Sequence, residues 1–139
     1  MIVAGPNARK DYHYNETEEL FYQLEGNIEI HIQEDGKKQT MQLGPGDMYL
    51  HPAKVPHSPV RKEGSIGLVI ERKRADMNVD DGLLWFCDNC NHKLYEAYFT
   101  LHNIEKDFLS HFKHFYSSKA LRTCDNCGTV NERFIAKEE

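Results

Sequence analysis

Alternating apolar and polar positions across the first half of the chain predict short β-strands. Residues 28–32 alternate at period two, as expected for a strand with one buried face, and residues 20–24 form a β-favouring run before them. Residues 67–71, with the sequence GLVIE, predict a further, buried strand. Strands this short, cut by turns at regular intervals, predict a small β-barrel or sandwich.

Turn residues separate these runs. Gly26 and Asn27 join the first two strands, and an Asp-Gly pair within residues 34–37 marks a hairpin. Residues 43–47, with the sequence LGPGD, form a second tight turn. The pattern is therefore consistent with antiparallel strands over most of the first half.

The pattern changes after the charged stretch at residues 71–76. Residues 94–101 predict one more strand, and Asn103 is placed to cap a helix whose first turn carries two acids. That helix is predicted by apolar residues at three-and-four spacing, namely Ile104, Phe108, Leu109, Phe112 and Phe115. We therefore predict a β-barrel over residues 1–76 and a strand and helix tail over residues 77–139, packed as one compact unit.

Composition limits the classes of partner. A chain of 139 residues suits one domain, and a net charge of -5 provides no basic face for a nucleic acid backbone. No apolar run approaches the roughly 20 residues that span a bilayer, and residues 1–5 lack the apolar core of a signal peptide. The sequence predicts a cytoplasmic protein with neither a membrane nor a nucleic acid partner.

The four cysteines form two close pairs. Cys87 and Cys90 make the first pair, and Cys124 and Cys127 make the second, with 33 residues between the pairs. Two such pairs can close a tetrahedral site around iron or zinc with no open position, which indicates a structural role. A redox role for either pair and a zinc ribbon that binds nucleic acid are the weaker alternatives.

Two motifs resemble those of the cupin superfamily. In the first, Gly5 and Gly26 bracket Asp11, His13 and Glu19, and the second runs through the residues Gly46, Pro52, His57 and Arg61. The chain departs from the superfamily at three positions. Asp11 stands where the first histidine is usual, Lys54 where a glycine is usual, and Arg61 where an asparagine is usual.

Those departures indicate a particular chemistry. A lone histidine beside carboxylates is ordinarily solvated, but with Asp11 in the first histidine's position the motifs retain His13, Glu19 and His57. Two histidines and one carboxylate are typical of non-heme Fe(II) sites that keep positions open for substrate and oxygen. His51 also precedes a proline, but the motif spacing selects His57, and we expect a structural role for His51.

Four stretches make the resemblance closer. GPNARKDYHYNETEELFYQLEG, PAKVPHSPVR, GLVIERKR and GLLWFCDNC are together similar to the 3-hydroxyanthranilate 3,4-dioxygenases, in their short single-cupin form with a rubredoxin-like four-cysteine tail. The resemblance implies Fe(II)-dependent extradiol cleavage of 3-hydroxyanthranilate by O₂ to 2-amino-3-carboxymuconate semialdehyde. That product leads to quinolinate, in the kynurenine pathway of tryptophan catabolism and NAD biosynthesis. It also implies a homodimer and a further segment ahead of Ile2.

The resemblance assigns roles to individual residues. It places the iron ligands at His13, Glu19 and His57. It places the substrate contacts at Arg9, Arg61 and Glu71, and Glu19 is expected to contact the substrate as well. A guanidinium can hold the substrate's carboxylate by paired hydrogen bonds, and Glu71, at a strand end, could accept a substrate proton as the catalytic base.

Other interpretations remain open at this point. Without the resemblance, both arginines would be surface residues, and Glu71 would pair with Arg72 or Lys73. A non-catalytic cupin that binds a small carboxylate, and a cupin isomerase or other metal enzyme, are the alternative functions.

Overall fold

The computed structural model describes residues 1–7 and 9–133. Within them lie ten strands and two helices. In chain order the strands are β1 (Ile2–Ala4), β2 (Tyr12–Tyr14), β3 (Glu19–Glu25), β4 (Ile28–Glu34), β5 (Lys37–Leu43), β6 (Met48–His51), β7 (His57–Arg61), β8 (Ile66–Glu71), β9 (Asp81–Phe86) and β10 (Lys93–Phe99). The helices are α1 (Ile104–Ser117) and α2 (Lys119–Arg122).

The strands form two antiparallel sheets. The four-stranded sheet has the order β1-β8-β3-β6, and the six-stranded sheet has the order β10-β9-β2-β7-β4-β5. Their facing sides share one apolar core, made by Phe21, Ile28, Ile30, Ile32, Leu43 and Val69. This topology confirms the predicted mostly-β, cupin-type jelly-roll barrel with a small C-terminal tail.

The predicted strands and turns are present, with one correction. Asp35 and Gly36 turn the β4–β5 hairpin at φ 52° and 71°, the left-handed conformation that such two-residue turns require. β8, however, is not buried throughout as predicted: its residues alternate, with Val69 buried and Ile70 52% exposed. The reason is that only one side of the four-stranded sheet faces the core, so alternate residues point away from it.

Helix α1 begins as its sequence predicts. Asn103 has extended backbone at φ -142°, and its side chain accepts a hydrogen bond from the Lys106 N–H. Asp107 accepts from the N–H groups of His102 and Asn103, both at 2.9 Å. These contacts satisfy N–H groups that a helix start leaves without partners.

The tail packs onto the barrel through a second apolar core. Leu83 and Trp85 of β9 contact Phe108 and Phe115 of α1, and the Trp85 and Phe115 rings stack with centroids 4.4 Å apart. β9 itself pairs with β2 inside the six-stranded sheet. The division between barrel and tail at residue 76 stays a prediction. In the fold, residues before and after that point both contribute strands to the six-stranded sheet.

No helix in residues 1–7 and 9–133 combines the length and the apolar character needed to cross a membrane.

We predict that Phe115→Ala lowers the free energy of unfolding by about 3–5 kcal/mol, because it empties a fully buried aromatic site. Leu109→Ala is the matched control on the same helix: Leu109 is 45% exposed, so we expect a change within about 0.5 kcal/mol. Urea denaturation followed by circular dichroism measures both. Equal losses in the two variants would contradict the tail core described above.

Candidate metal centre and its cavity

Three buried side chains converge where the two sheets face each other. His13 on β2 and His57 on β7 are register partners in the six-stranded sheet, and Glu19 begins β3 in the four-stranded sheet. One ligand atom from each of the three lies within 4.8 Å of the other two. The predicted ligand set, drawn from three separate strands, is therefore brought together.

The donor atoms of this cluster suit a transition metal cation. Glu19 Oε2 faces His57 Nε2, and Glu19 Oε1 lies 3.7 Å from His13 Nδ1. Although it is buried, Glu19 Oε2 has no partner of hydrogen-bond geometry among the described residues. A buried carboxylate in that condition is costly unless a cation compensates it. Two imidazoles and one carboxylate fit a divalent metal with open positions.

Electrostatics keep the Glu19 carboxyl ionised. Burial opposes its ionisation, but the close approach and the charge of His57 outweigh burial and hold the pKa of Glu19 well below its usual range. The group is therefore a carboxylate, the form that a metal binds.

A buried ion pair that the sequence analysis did not predict supports His13. Asp81, at the start of β9, is fully buried and lies 2.6 Å from His13 Nε2. Arg74 donates to both oxygens of Asp81, at 2.7 Å each. Burial alone would raise the pKa of Asp81, but the hydrogen bonds from His13 and Arg74 lower it. Asp81 thus fixes the imidazole and leaves Nδ1 as the ring nitrogen that faces Glu19.

Glu71 lies beside this cluster. It is the register partner of Glu19 across β3 and β8, and its Oε2 is 3.4 Å from Arg74 Nη1. The predicted alternative of pairing with Arg72 or Lys73 is not what the structure shows, because the guanidinium of Arg74 folds inward instead. Burial, and then the hydrogen bond and charge of Glu19, raise the pKa of Glu71 to about 8. A carboxyl with a pKa near neutral can both accept and return a proton.

His51 is buried next to the centre but has partners on both ring nitrogens. Its Nε2 lies 2.7 Å from the Val55 carbonyl oxygen, and its Nδ1 lies 3.1 Å from the Tyr49 hydroxyl. Burial, and then the charge of His57, lower the pKa of His51 to about 4. A neutral ring packed 4.3 Å from the His57 ring agrees with the structural role expected from the sequence.

A cavity of about 150 Å³ opens from the three ligands, and we call it the central cavity. Its polar lining includes the remaining predicted substrate contacts, Arg9, Arg61 and Glu71. Apolar side chains from both sheets and from α1 complete it, among them Val3, Phe21, Val69, Ile104 and Phe108. The cavity is thus built like a small-molecule site, with apolar walls and a few polar groups.

Arg61 is a buried cation in this lining. It is 4% exposed, and within the described residues no carboxylate lies within 4 Å of its guanidinium. Burial lowers the pKa of Arg61. A Cβ added at Gly67 would lie only 3.1 Å from Arg61 Nη1. The lack of a side chain at Gly67 therefore leaves room for the guanidinium. A buried charge with no anionic partner indicates a site for a bound anion.

Lys54 shows why the superfamily motif favours a glycine at its position. Its φ is 65°, in the left-handed region, and its N–H donates to the Asn15 carbonyl oxygen at 2.8 Å. The turn between β6 and β7 therefore keeps the glycine conformation with a lysine in place, and His57 begins the strand that follows.

The four cysteines also converge. The Sγ atoms of Cys87 and Cys127 are 3.6 Å apart, and those of Cys90 and Cys124 are 3.5 Å apart. These distances are near the roughly 3.8 Å between sulfurs on a tetrahedral metal with 2.3 Å bonds, and far from a disulfide of about 2.05 Å. The four residues therefore fit one metal ion.

The loops around these cysteines are alike. Asn91 N–H donates to the Cys87 carbonyl oxygen, and Gly128 N–H donates to the Cys124 carbonyl oxygen, each donor residue having a positive φ. Hydrogen bonds from Thr129 lower the pKa of Cys127 to about 5, whereas burial raises that of Cys87 to about 11. The first loop follows β9 and the second follows α2, so a metal held by both would tie the end of the helical segment to the sheet.

Several known proteins are similar to this chain. A family described as 3-hydroxyanthranilic acid dioxygenase matches residues 1–116. A protein named 3-hydroxyanthranilate 3,4-dioxygenase from Xanthomonas campestris pv. campestris is 56% identical over 141 residues, covering 99% of this chain and 80% of its own. A protein of the same name from Bacillus thuringiensis is 42% identical, and the match covers 94% of this chain and 73% of the length of that protein. A cupin-2 domain protein from Shewanella frigidimarina has a TM-score of 0.42 and 29% identity, covering 52% of this chain and 65% of that one.

We predict that His57→Ala abolishes metal binding at the barrel cluster, and that Asp81→Asn weakens it about 10- to 100-fold, because the imidazole of His13 loses its anionic anchor. Titration with Co²⁺ of protein whose four-cysteine site is already filled with Zn²⁺, followed by visible absorbance, measures both affinities.

Asp80→Asn is the matched control, because Asp80 is exposed and its side chain contacts Thr100 instead of His13. The cysteine-bound metal should remain in all three variants, since the two clusters share no residue. Loss of both metals in His57→Ala, or equal weakening in the Asp80 and Asp81 variants, would rule out this arrangement.

Proposed function

This chain belongs to the 3-hydroxyanthranilic acid dioxygenase family, and on that premise we propose that it catalyses the opening of the 3-hydroxyanthranilate ring by O₂. Both oxygen atoms enter the product, 2-amino-3-carboxymuconate semialdehyde, the precursor of quinolinate in tryptophan degradation and NAD biosynthesis. The observation that carries this proposal is the opening of the His13, Glu19 and His57 cluster into a cavity that is also lined by the buried Arg61. Family membership does not favour the alternative of a non-catalytic cupin.

We propose Fe(II) as the catalytic metal, held by His13, Glu19 and His57. When bound, ferrous iron supplies the redox chemistry by which O₂ reacts with an electron-rich aromatic ring. The protein's own contribution is to present these three donors in a fixed arrangement from two facing sheets, with Asp81 anchoring the ring of His13.

The arginines bind the carboxylate of the substrate in this proposal. Arg61 offers a buried guanidinium that has no anionic partner in the described part of the chain, and Arg9 lines the same cavity. A planar guanidinium can hold a carboxylate through two parallel hydrogen bonds, which fixes the ring's direction as well as its position. The hydroxyl and amino groups of the substrate are then turned toward the metal ligands.

Glu71 is the proton acceptor in this proposal. It lines the cavity next to Glu19, so a substrate hydroxyl directed at the centre comes within its reach. Burial and the charge of Glu19 hold the pKa of Glu71 at about 8; a cation bound by Glu19 would offset that charge, so that Glu71 ionises and can take the hydroxyl proton when substrate binds and return it later. Phe21, Val69 and Phe108 line the same space and limit the access of water during the reaction.

The four-cysteine site has a structural role in this proposal, with iron or zinc as its metal. All four thiols are free of disulfides, which suits a reducing compartment, and we propose a cytoplasmic location that cell fractionation can check.

We also propose that the protein is a homodimer, as the family resemblance implies. Met48 and Leu50 of β6 and Ile70 of β8 are each more than half exposed, on the side of the four-stranded sheet away from the core, and the two strands flank β3. A second copy would cover this surface. Light scattering during gel filtration should give twice the chain mass, and Leu50→Lys should shift the mass toward the monomer. A monomeric wild type would reject the dimer.

The activity is tested by anaerobic loading with Fe(II), followed by addition of 3-hydroxyanthranilate and air. We expect the ring-opened product by absorbance, with one O₂ consumed per substrate at an oxygen electrode. Folded, iron-loaded protein that yields no product would refute the proposed function.

Arg61→Met should lower kcat/KM about 100-fold, because a buried charged contact to the substrate carboxylate is lost. Lys62→Met removes the same charge from the adjacent, exposed residue and should leave kcat/KM within about twofold. Similar losses in both variants would count against a carboxylate site at Arg61.

A further inference from the structure

Arg9 is held on one edge by a carboxylate inside the central cavity. Its Nε donates to Asp11 Oδ1 at 2.9 Å, and its Nη2 donates to Asp11 Oδ2 at 2.6 Å. Asp11 is 4% exposed and lines the central cavity together with Arg9. Such a paired contact uses one edge of the guanidinium and leaves the Nη1 side for another partner.

Two aromatic rings of α1 give the same guanidinium a second constraint. The Cζ of Arg9 lies 5.0 Å from the centre of the Phe112 ring and 5.6 Å from that of Phe108. These distances are within the range of cation–π attraction. Burial would lower the pKa of Arg9, but the hydrogen bond and charge of Asp11 raise it. The arginine is therefore charged and is contacted from two directions.

The position of Asp11 is otherwise difficult to explain. It stands where the superfamily motif has a histidine, but the metal-capable cluster consists of His13, Glu19 and His57 only. A further carboxylate in a cavity that receives an anion and is already lined by Glu19 and Glu71 would repel that anion, unless its own charge were paired. Both of its oxygens are engaged by Arg9, whereas no carboxylate in residues 1–7 and 9–133 pairs with Arg61.

We propose that Asp11 and Phe112 are positioning residues, which hold the Arg9 guanidinium so that its free edge meets the carboxylate of the bound substrate beside Arg61. This inference rests on the proposed function and deepens it. Arg61 contributes a buried positive charge that attracts the substrate's carboxylate, while the held guanidinium of Arg9 sets the direction from which that carboxylate is bound. It also makes α1, a helix of the tail, part of substrate recognition.

The test compares Asp11→Asn with the wild type, both loaded with Fe(II). We expect the Kd for 3-hydroxyanthranilate in anaerobic titration, and the KM in air, to rise about tenfold, with kcat within about twofold. The direction of the change is decisive: if Asp11 acted only by repelling the substrate's carboxylate, the asparagine variant would bind more tightly. Tighter or unchanged binding would overturn the proposal.

A double-mutant cycle shows whether the effect passes through Arg9. In the Arg9→Ala background, Asp11→Asn should change kcat/KM by less than about twofold, because there is no guanidinium left to position. An undiminished tenfold loss in that background would overturn the proposal. Phe112→Leu, which removes the ring but keeps an apolar side chain, should raise the KM about threefold and serves as the second variant if Asp11→Asn does not fold.

A ligand without the carboxylate separates positioning from general damage. 2-Aminophenol has the hydroxyl and amino groups of the substrate but no carboxylate, and it is used as a competitive inhibitor. Its inhibition constant should stay within about twofold in Asp11→Asn, whereas equal weakening of both ligands would contradict the proposal. Wild type that loads iron but turns over no substrate would instead reject the proposed function, so the two failures are distinguishable.

Discussion

The structure depends on a carboxylate that is buried between two imidazoles where the sheets meet. Glu19 carries a negative charge in a place that would otherwise be apolar core, and its environment holds its pKa low. Such a charge requires compensation. The compensation comes from the six-stranded sheet, through His13 and His57, and the same arrangement forms a cluster able to hold a metal ion. The packing of the two sheets against each other and the convergence of these three side chains therefore have the same cause in this protein.

The supporting groups reach the centre from far along the chain. Asp81 anchors His13 from the start of β9, and Arg74 joins Asp81 to Glu71, so the segment between β8 and β9 folds around one guanidinium. β9 also provides Leu83 and Trp85 for the core that holds α1. Because α1 in turn contributes Phe108 to the central cavity, the tail and the barrel form one functional unit.

Two acidic residues have opposite roles because their surroundings differ. Glu19 faces imidazoles and remains ionised, whereas Glu71 lies beside Glu19 itself and has a pKa raised to about 8. Two adjacent carboxyl groups cannot both lose their protons cheaply, so the group without imidazole partners retains one. Arg9 and Arg61 differ in the same way, since Arg9 has a carboxylate partner and Arg61 has none among the residues that the structure describes.

The sequence alone determined the elements and the ligand inventory of this protein. Period-two alternation, turn residues and the Asn103 cap depend on neighbours in the chain, so β4, its hairpin and α1 were predictable, and the resemblance to the cupin motifs singled out His13, Glu19 and His57 as candidate ligands. Only the tertiary structure decided that Asp81 and Arg74 support His13, that Asp11 pairs with Arg9, and that Ile70 faces away from the core. Those contacts depend on strand pairing and on which charges are buried together, and local periodicity does not encode either.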